Sequence, residues 1–434
     1  MNRHPMKRRM IVLLVSALLV MACQPVGPAG APSVSDPAVI ADVAPGVTDS
    51  EILIGTHTSL TGPVAVYAPI SQAAKAYFAF INDTEGGVNG RKITFLIEDD
   101  GYSPPKTVEL VRKLVEQDQI FALFQGLGSP THLQVLPYLQ EQGVPDLYIS
   151  ASAVEWIEAP ATNRMSFGGI LSNVGEAAAL GQHLATEYAG KKLGLLYQND
   201  NAGLGFMDGL KRTVGDNLPI VAEVVYEATD QDLNAQVDRL KAAGAEVISG
   251  LITPRLLSTA IKHARLDLQW DAPFFISHVS ANDFLVTLGS AEVIEGTVSV
   301  QYLRQAYETD QPSVAKHAEI MKSYGGMEAV NFLTIVGQYQ AELLVETLKR
   351  AGKDLTREGL IQAAESIQGF QCSVCLFPMS LSAIDHDAAQ SAVFVRAEGG
   401  RWVPFGENGV SWEDTLPQEI SVENVKAVPS PYGK

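Results

Sequence analysis

The sequence predicts an α/β protein built as two lobes, each a parallel sheet covered by helices. Three observations carry that expectation. Strand-like and helix-like runs alternate from about residue 51 to residue 278. The alternation completes one round near Ser150 and starts a second at about Asn173. Short loops of Gly, Ser and Thr follow the strand-like runs, where an open α/β sheet presents its ligand edge.

In the first round, ILIGT is an apolar strand-like run and SQAAKAYFAFIND spaces its apolar residues as a helix does. EGGVNGR is a turn, KITFLIEDD a strand, and PPKTVELVRKLVEQD a helix opened by Pro104 and Pro105, where a missing N–H costs least. IFALFQG, SPTHLQVLPYLQEQG closed by Gly143, and LYIS continue as strand, helix and strand. The second round reads helix (SNVGEAAALGQHLATEYAG), strand (KKLGLLYQND) and helix (GFMDGLKRTVG). It goes on through PIVAEVVYE, DLNAQVDRLKAAG, AEVISGLIT, PRLLSTAIKHARLDL and PFFISH. Two such rounds describe two Rossmann-like domains. After His278 the rhythm changes. AEVIEGTVSVQYLRQ reads as extended, MEAVNFLTIVGQYQAELLVETLKRAG as a long amphipathic helix, and REGLIQAAESI as a shorter helix capped by Thr356. QSAVFVRAEGGRWVPF reads as a β-hairpin turning at Glu398, Gly399 and Gly400. More helix and strand after the second domain implies that the chain returns to the first.

The N-terminus stands apart. Arg3, Lys7, Arg8 and Arg9 precede an apolar run of 13 residues, Met10–Ala22, that ends at Cys23. A basic start and a short apolar stretch mark an export signal, too short to span a bilayer. LLVMACQP is similar to the cleavage motif of bacterial lipoproteins, which implies lipid on Cys23; an ordinary signal with an incidental cysteine is the alternative. Residues 23–48, rich in Pro, Ala, Gly, Val and Ser, suit a flexible tether. Without residues 1–22, 27 basic residues face 49 acidic ones, a formal charge of −22. So acidic a body argues against nucleic acid as a partner. Cys372 and Cys375 in QCSVCLF form a lone CxxC, open to a redox pair, half a zinc site or a local disulfide. An exported chain favours the disulfide.

Catalytic signatures are missing. There is no Walker A lysine loop, no GxSxG and no HExxH, and QGLGSP and NAGLGFMDG lack the dinucleotide spacing. Asp385, His386 and Asp387 could hold a metal but read more simply as a solvated loop, and Glu98, Asp99 and Asp100 as solvated or capping residues at a strand end. No turnover chemistry, metal or cofactor is expected. THTSLTGP, GLGSPT, ISASAVE, QNDNAGLG and LITPR instead describe two polar half-sites facing each other across a cleft.

IGTHTSLTGPVAVYAP, the stretch from INDTEGGVNGR to FQGLGS, LKRAGKDLTREGL and GGRWVPF together resemble the binding proteins of branched-chain amino acid ABC transporters, from about Asp49 to Phe405. The resemblance implies a type I periplasmic binding fold, two lobes joined by three crossovers that close on ligand like a Venus flytrap. Carried over, the crossovers fall near Phe167–Gly169, Gly296–Ser299 and Ser380–Ala383. Lobe 1 is then 49–168 plus 297–382, lobe 2 is 169–296 plus 383–412, and 413–434 is a tail. The first-lobe site is implied at Ser129 and at Ser150, Ala151 and Ser152, which hold a carboxylate through hydroxyls and N–H groups. Tyr67 corresponds to a pocket aromatic. In the second lobe the family's aromatic falls at Ala202, and its ammonium-pairing acid falls near Val279, beside His278. Asn199 and Thr253 are candidate donors there. The loss of the acid argues against a free α-amino acid and for an aromatic or keto carboxylate, or an amide. The expected function is a lipid-anchored, monomeric solute receptor of the cell envelope that serves an ABC permease. A ligand sensor of the same fold, of the amide-sensing kind, is the alternative.

Overall fold

Strand β1 (Glu51–Thr58) is buried along most of its length, as a strand flanked on both sides and covered on both faces must be. In this computed structural model, which describes residues 44–157, 160–412 and 417–421, it sits between β2 (Lys92–Asp99) and β3 (Ala122–Phe124). With β4 (Asp146–Ile149) and β5 (Ser166–Gly168) these form a parallel sheet of order β2-β1-β3-β4-β5. Phe78, Phe95 and Phe124 meet at centroid distances of 5.5–5.6 Å and anchor the first core between this sheet and the helix Pro69–Thr84.

The second sheet takes β6 (Leu193–Gln198), β7 (Ile220–Tyr226), β8 (Val247–Gly250), β9 (Phe274–Ile276) and β10 (Val298–Gln301), all parallel. The chain returns to it antiparallel as β11 (Ser391–Glu398), β12 (Arg401–Pro404), β13 (Asn408–Ser411) and β14 (Gln418–Ser421). Its order is β14-β13-β11-β10-β9-β8-β6-β7, with β12 also beside β11.

The crossovers lie within a few residues of where the sequence placed them, the second differing most. Phe167 and Gly168 belong to β5, so the chain first crosses through Gly169–Ser172. Residues 297–301, assigned by sequence to lobe 1, are β10 and its approach in the second sheet; the crossing follows Gln301 and leads to the helix Pro312–Gly325, which packs on Pro69–Thr84. The third crossing comes after Leu381, whose N–H still bonds Ile367 O, and passes Asp387, which bridges to Gly168. That segment corrects a second reading. His386 and Asp387 are buried, with His386 stacked 3.8 Å from Phe167, so the triplet is hinge packing rather than a solvated loop.

The long helix begins at Phe332, five residues later than the start of the quoted run, because Asn331 caps it reciprocally with Thr334. It is buried on almost every face rather than amphipathic, running between the first sheet's helices. Helices Pro312–Gly325 and Asp283–Gly289 lie in segments that the sequence left without helix. Cys372 and Cys375 are joined as a disulfide, Cα atoms 5.1 Å apart. Among the described residues no helix is long and apolar enough to cross a membrane. The signal, Cys23 and most of the tether lie outside them.

Candidate functional site

Between the two sheets, at the C-terminal ends of β1, β3, β4, β6, β8 and β9, lies a cavity of about 100 Å³. This is where strand ends and helix starts of an α/β sheet converge. The first lobe contributes Val64, Tyr67, Ile70, Tyr102, Leu127–Ser129 and Ser150–Ser152, with Phe332, Leu333 and Val336 from the start of the long helix. The second contributes Ile170, Gln198, Asp200, Ala202, Leu251, Thr253, His278 and Val279, and Tyr302 stands on the second crossing. Aliphatic and aromatic groups make up most of the wall, with polar groups placed sparsely, as in small-molecule sites generally.

Of the sequence-predicted residues, Tyr67, Ser129, Ser150, Ala151, Ser152, Ala202, Thr253 and His278 line this cavity. Asn199 does not. It is exposed, and its amide donates to Glu227 Oε1 at 2.7 Å on the outer side of the loop. Its neighbours Gln198 and Asp200 face the cavity instead, since the extended chain leaving β6 alternates its side chains. Ser150 commits its hydroxyl to Gln340 Oε1 at 2.8 Å. Ser129 and Ser152 make no side-chain hydrogen bond among the described residues.

Sequence reasoning missed Tyr102, and the signal was faint. Tyr102 has φ 62°, a left-handed backbone that a tyrosine rarely adopts. Asp100 Oδ1 accepts its N–H at 2.8 Å and holds it there. The ring rests on Gly128, where a Cβ would come within 2.5 Å of it, so glycine is required at that contact. Asp99 secures the first loop by accepting from the N–H groups of Leu60, Thr61 and Gly101 and from Thr61 Oγ1. Burial pushes the Asp99 carboxyl up, but these donors outweigh it and leave it below the ordinary value.

Two carboxylates approach the second-lobe wall, and both are engaged. Asp200 caps the helix Asn201–Val214 through Gly203 N at 3.0 Å and accepts from Gln198; burial pushes its carboxyl up. Glu176, fully buried behind the wall, accepts from Ser277 Oγ (2.5 Å), His278 N (2.9 Å) and His278 Nδ1 (2.8 Å). A carboxylate only accepts, so Nδ1 carries a proton and a neutral His278 keeps its lone pair on Nε2. Tyr302 lies edge-on to His278 at 5.7 Å, and its buried hydroxyl has no partner among the described residues.

The lobes touch across the cleft. Tyr67 OH donates to Val279 O at 3.3 Å, Gln198 Nε2 to Tyr102 OH at 3.2 Å, and Phe332 N to Asp283 Oδ2 at 3.2 Å. Asn201 donates to Glu155 at the same face. The cavity is therefore closed over. Among the described residues no group of His, Cys, Asp and Glu is arranged to hold a metal ion.

Residues 51–401 match the periplasmic binding protein family. A leucine-, isoleucine-, valine-, threonine- and alanine-binding protein of Pseudomonas aeruginosa is 27% identical over 272 residues, 61% of this chain and 69% of that one. Leu/Ile/Val-binding protein homolog 1 of Brucella suis is 24% identical over 325 residues, 71% of this chain and 81% of that one. Among solved structures, a branched chain amino acid ABC transporter protein of Thermus thermophilus with bound valine superposes with TM-score 0.74 at 20% identity, covering 88% of this chain and 99% of that one. A fatty acid ABC transporter substrate-binding protein of Thermomonospora curvata gives TM-score 0.73 at 24% identity, covering 89% and 97%. Both superpositions speak to the fold alone. A two-lobed cleft and a family match over most of the chain's length lead to one conclusion: the chain belongs to the periplasmic binding protein family.

Proposed function

We propose that this protein, anchored to the cell envelope by lipid on Cys23, closes as a monomer on a small carboxylate or amide with an apolar body and delivers it to an ABC permease. The observation that carries this reading is an asymmetry of the cavity. Ser129 and Ser152 offer uncommitted hydroxyls on the first lobe, whereas Asp200 and Glu176 on the second are already engaged by Gln198, Gly203, Ser277 and His278. An α-ammonium taken out of water needs a free carboxylate to meet it, and the position where the family carries that acid is Val279. Relatives that bind leucine, isoleucine and valine point to an amino acid; the engaged carboxylates favour aromatic acids, keto acids or amides of similar size.

Thermal-shift and calorimetric titration of the soluble chain from Gln24, with Cys23 removed, test the choice. Carboxylates without an α-amino group, or amides, are expected to bind more tightly than the matching amino acids. Leucine binding as tightly as its keto analogue overturns the solute class, and no binding by any of these solutes overturns the transport reading. In cells, Cys23→Ser is expected to release the protein from membranes, and its retention there overturns the anchor.

A further inference from the structure

Beneath the first-lobe half of the cavity four titratable side chains are joined end to end, all of them fully buried. Asp100 Oδ2 lies 2.9 Å from His57 Nδ1, His57 Nε2 lies 3.0 Å from His132 Nδ1, and His132 Nε2 lies 2.8 Å from Asp146 Oδ2. Thr107 Oγ1 donates to Asp100 and Ser166 Oγ to Asp146, Trp156 stands edge-on to His132, and Asp146 Oδ1 has no partner among the described residues. The titratable groups acting on His57 are the other three members of the row.

The number of protons follows from the geometry. Three hydrogen bonds link the row, and each needs one proton. Two ionised carboxylates and two neutral imidazoles carry only two. With both inner nitrogens bare, two lone pairs would face each other across 3.0 Å between fully buried rings. Moving a proton onto Asp146 and reversing His132 changes where the protons sit but still requires three. The row therefore holds one proton more than its parts carry in neutral solution. Burial, with the hydrogen bond to Asp100 opposing it and the neighbouring His132 adding to it, holds His57 below its ordinary value.

We propose that Asp100, His57, His132 and Asp146 form a buried proton-holding relay that positions the first-lobe ligand loops, with His57 and His132 as positioning residues of the cleft. Asp100 and His132 are tied to the wall. Asp100 fixes the N–H of Tyr102, and His132 ends the short turn that begins at Ser129. Leu127 N donates to His57 O, and a Cβ on Gly126 would strike both imidazoles, so the loop closes directly on the pair. Removing the third proton leaves two buried carboxylates with no cation between them, and the loops lose their common anchor. The positioning role rests on the cleft being the solute site; the proton count does not.

Folding must then take up about one proton above the unfolded histidine range, near pH 6.5. The native state binds more protons than the unfolded state, so stability falls as pH rises, by about tenfold in the unfolding constant per pH unit, until the relay discharges. Urea unfolding of the full soluble chain at pH 7, 8 and 9 is expected to show this slope, and His132→Gln or Asp146→Asn to lack that part of it. Equal slopes in wild type and variants overturn the relay. Should the variants not fold, nitrogen-15 spectra of histidine-labelled and carbon-13 spectra of aspartate-labelled wild type decide alone. One buried ring protonated on both nitrogens, or one buried aspartic acid still protonated at pH 8, is expected; His263, which Asp238 and Asp267 raise, is identified by His263→Gln. All buried rings neutral and both aspartates ionised overturns the proposal. Hydrogen exchange reads the positioning role. Peptides spanning 100–107 and 126–132 are expected to lose protection in His57→Gln while β6 and β8 keep theirs, and unchanged protection removes the positioning role. If no solute binds but the slope and spectra hold, the reading of the cleft fails and the relay stands.

Discussion

Ser129 and Ser152 reach the cavity from two different loops, and among the described residues neither hydroxyl is tied to another side chain. A hydroxyl donating to a ligand carboxylate contributes about 1.5–3 kcal/mol. Ser129→Ala and Ser152→Ala are each expected to weaken solute binding at least about tenfold, with the melting temperature of the free protein unchanged. A titration showing wild-type affinity for both variants removes them from the site. These two residues were reached from the sequence through the resemblance of GLGSPT and ISASA to the family's first-lobe loops. Asn199 does not line the cavity, because one step along an extended chain reverses the direction of a side chain, and Gln198 and Asp200 take the inward places. Tyr102 and Tyr302 carried no local signal, since a tyrosine beside a turn is equally at home in a core. Asp100 was read as a strand-end carboxylate at the surface, and its partner His57 lies 43 residues away in sequence.

At the scale of elements, the helix Phe332–Ala351 joins the lobes' fates, since its first turn forms cavity wall and its middle fills the first core. Gly337 sets how closely it approaches the helix Pro69–Thr84. A Cβ there would stand 2.1 Å from Ile70 O and 2.8 Å from Ala73 Cβ. In an exposed helix Gly→Ala stabilises by about 1 kcal/mol; here overpacking of about 1–3 kcal/mol opposes it and wins at so short a distance. Gly337→Ala is expected to lower stability by about 2 kcal/mol in denaturant titration, and a stabilised variant would contradict the packing. The helix itself was visible in sequence, but its start and its burial were not. Its polar residues suggested a wet face, whereas Gln338 and Gln340 are buried and bonded to His317, Glu342, Tyr148 and Gly169. Side-chain partners drawn from distant segments make a polar residue compatible with the interior, and periodicity cannot reveal them.

For the whole molecule, hydrogen bonds between the lobes contribute to closure. Asp283, on the second lobe, accepts from the N–H of Phe332 at the start of the long helix, where a negative charge also meets the positive end of the helix dipole. Burial pushes the Asp283 carboxyl up. Asp283→Ala removes this contact without touching the cavity wall. It is expected to shift the free protein towards the open form, seen as a larger radius in small-angle scattering, and to weaken solute binding about fivefold. An unchanged radius and affinity would show that the contact does not contribute to closure.

The sequence by itself determined the α/β class and the two-lobed plan, because strand, helix and loop chemistry are written within a few residues of each other. Only the tertiary structure decided where the chain crosses, that residues 297–301 join the second sheet, and that Asp200 and Glu176 are already engaged. It alone brought His57, His132, Asp100 and Asp146 into one row. Each of these depends on groups far apart in the chain meeting at hydrogen-bond distance, and only packing fixes such meetings.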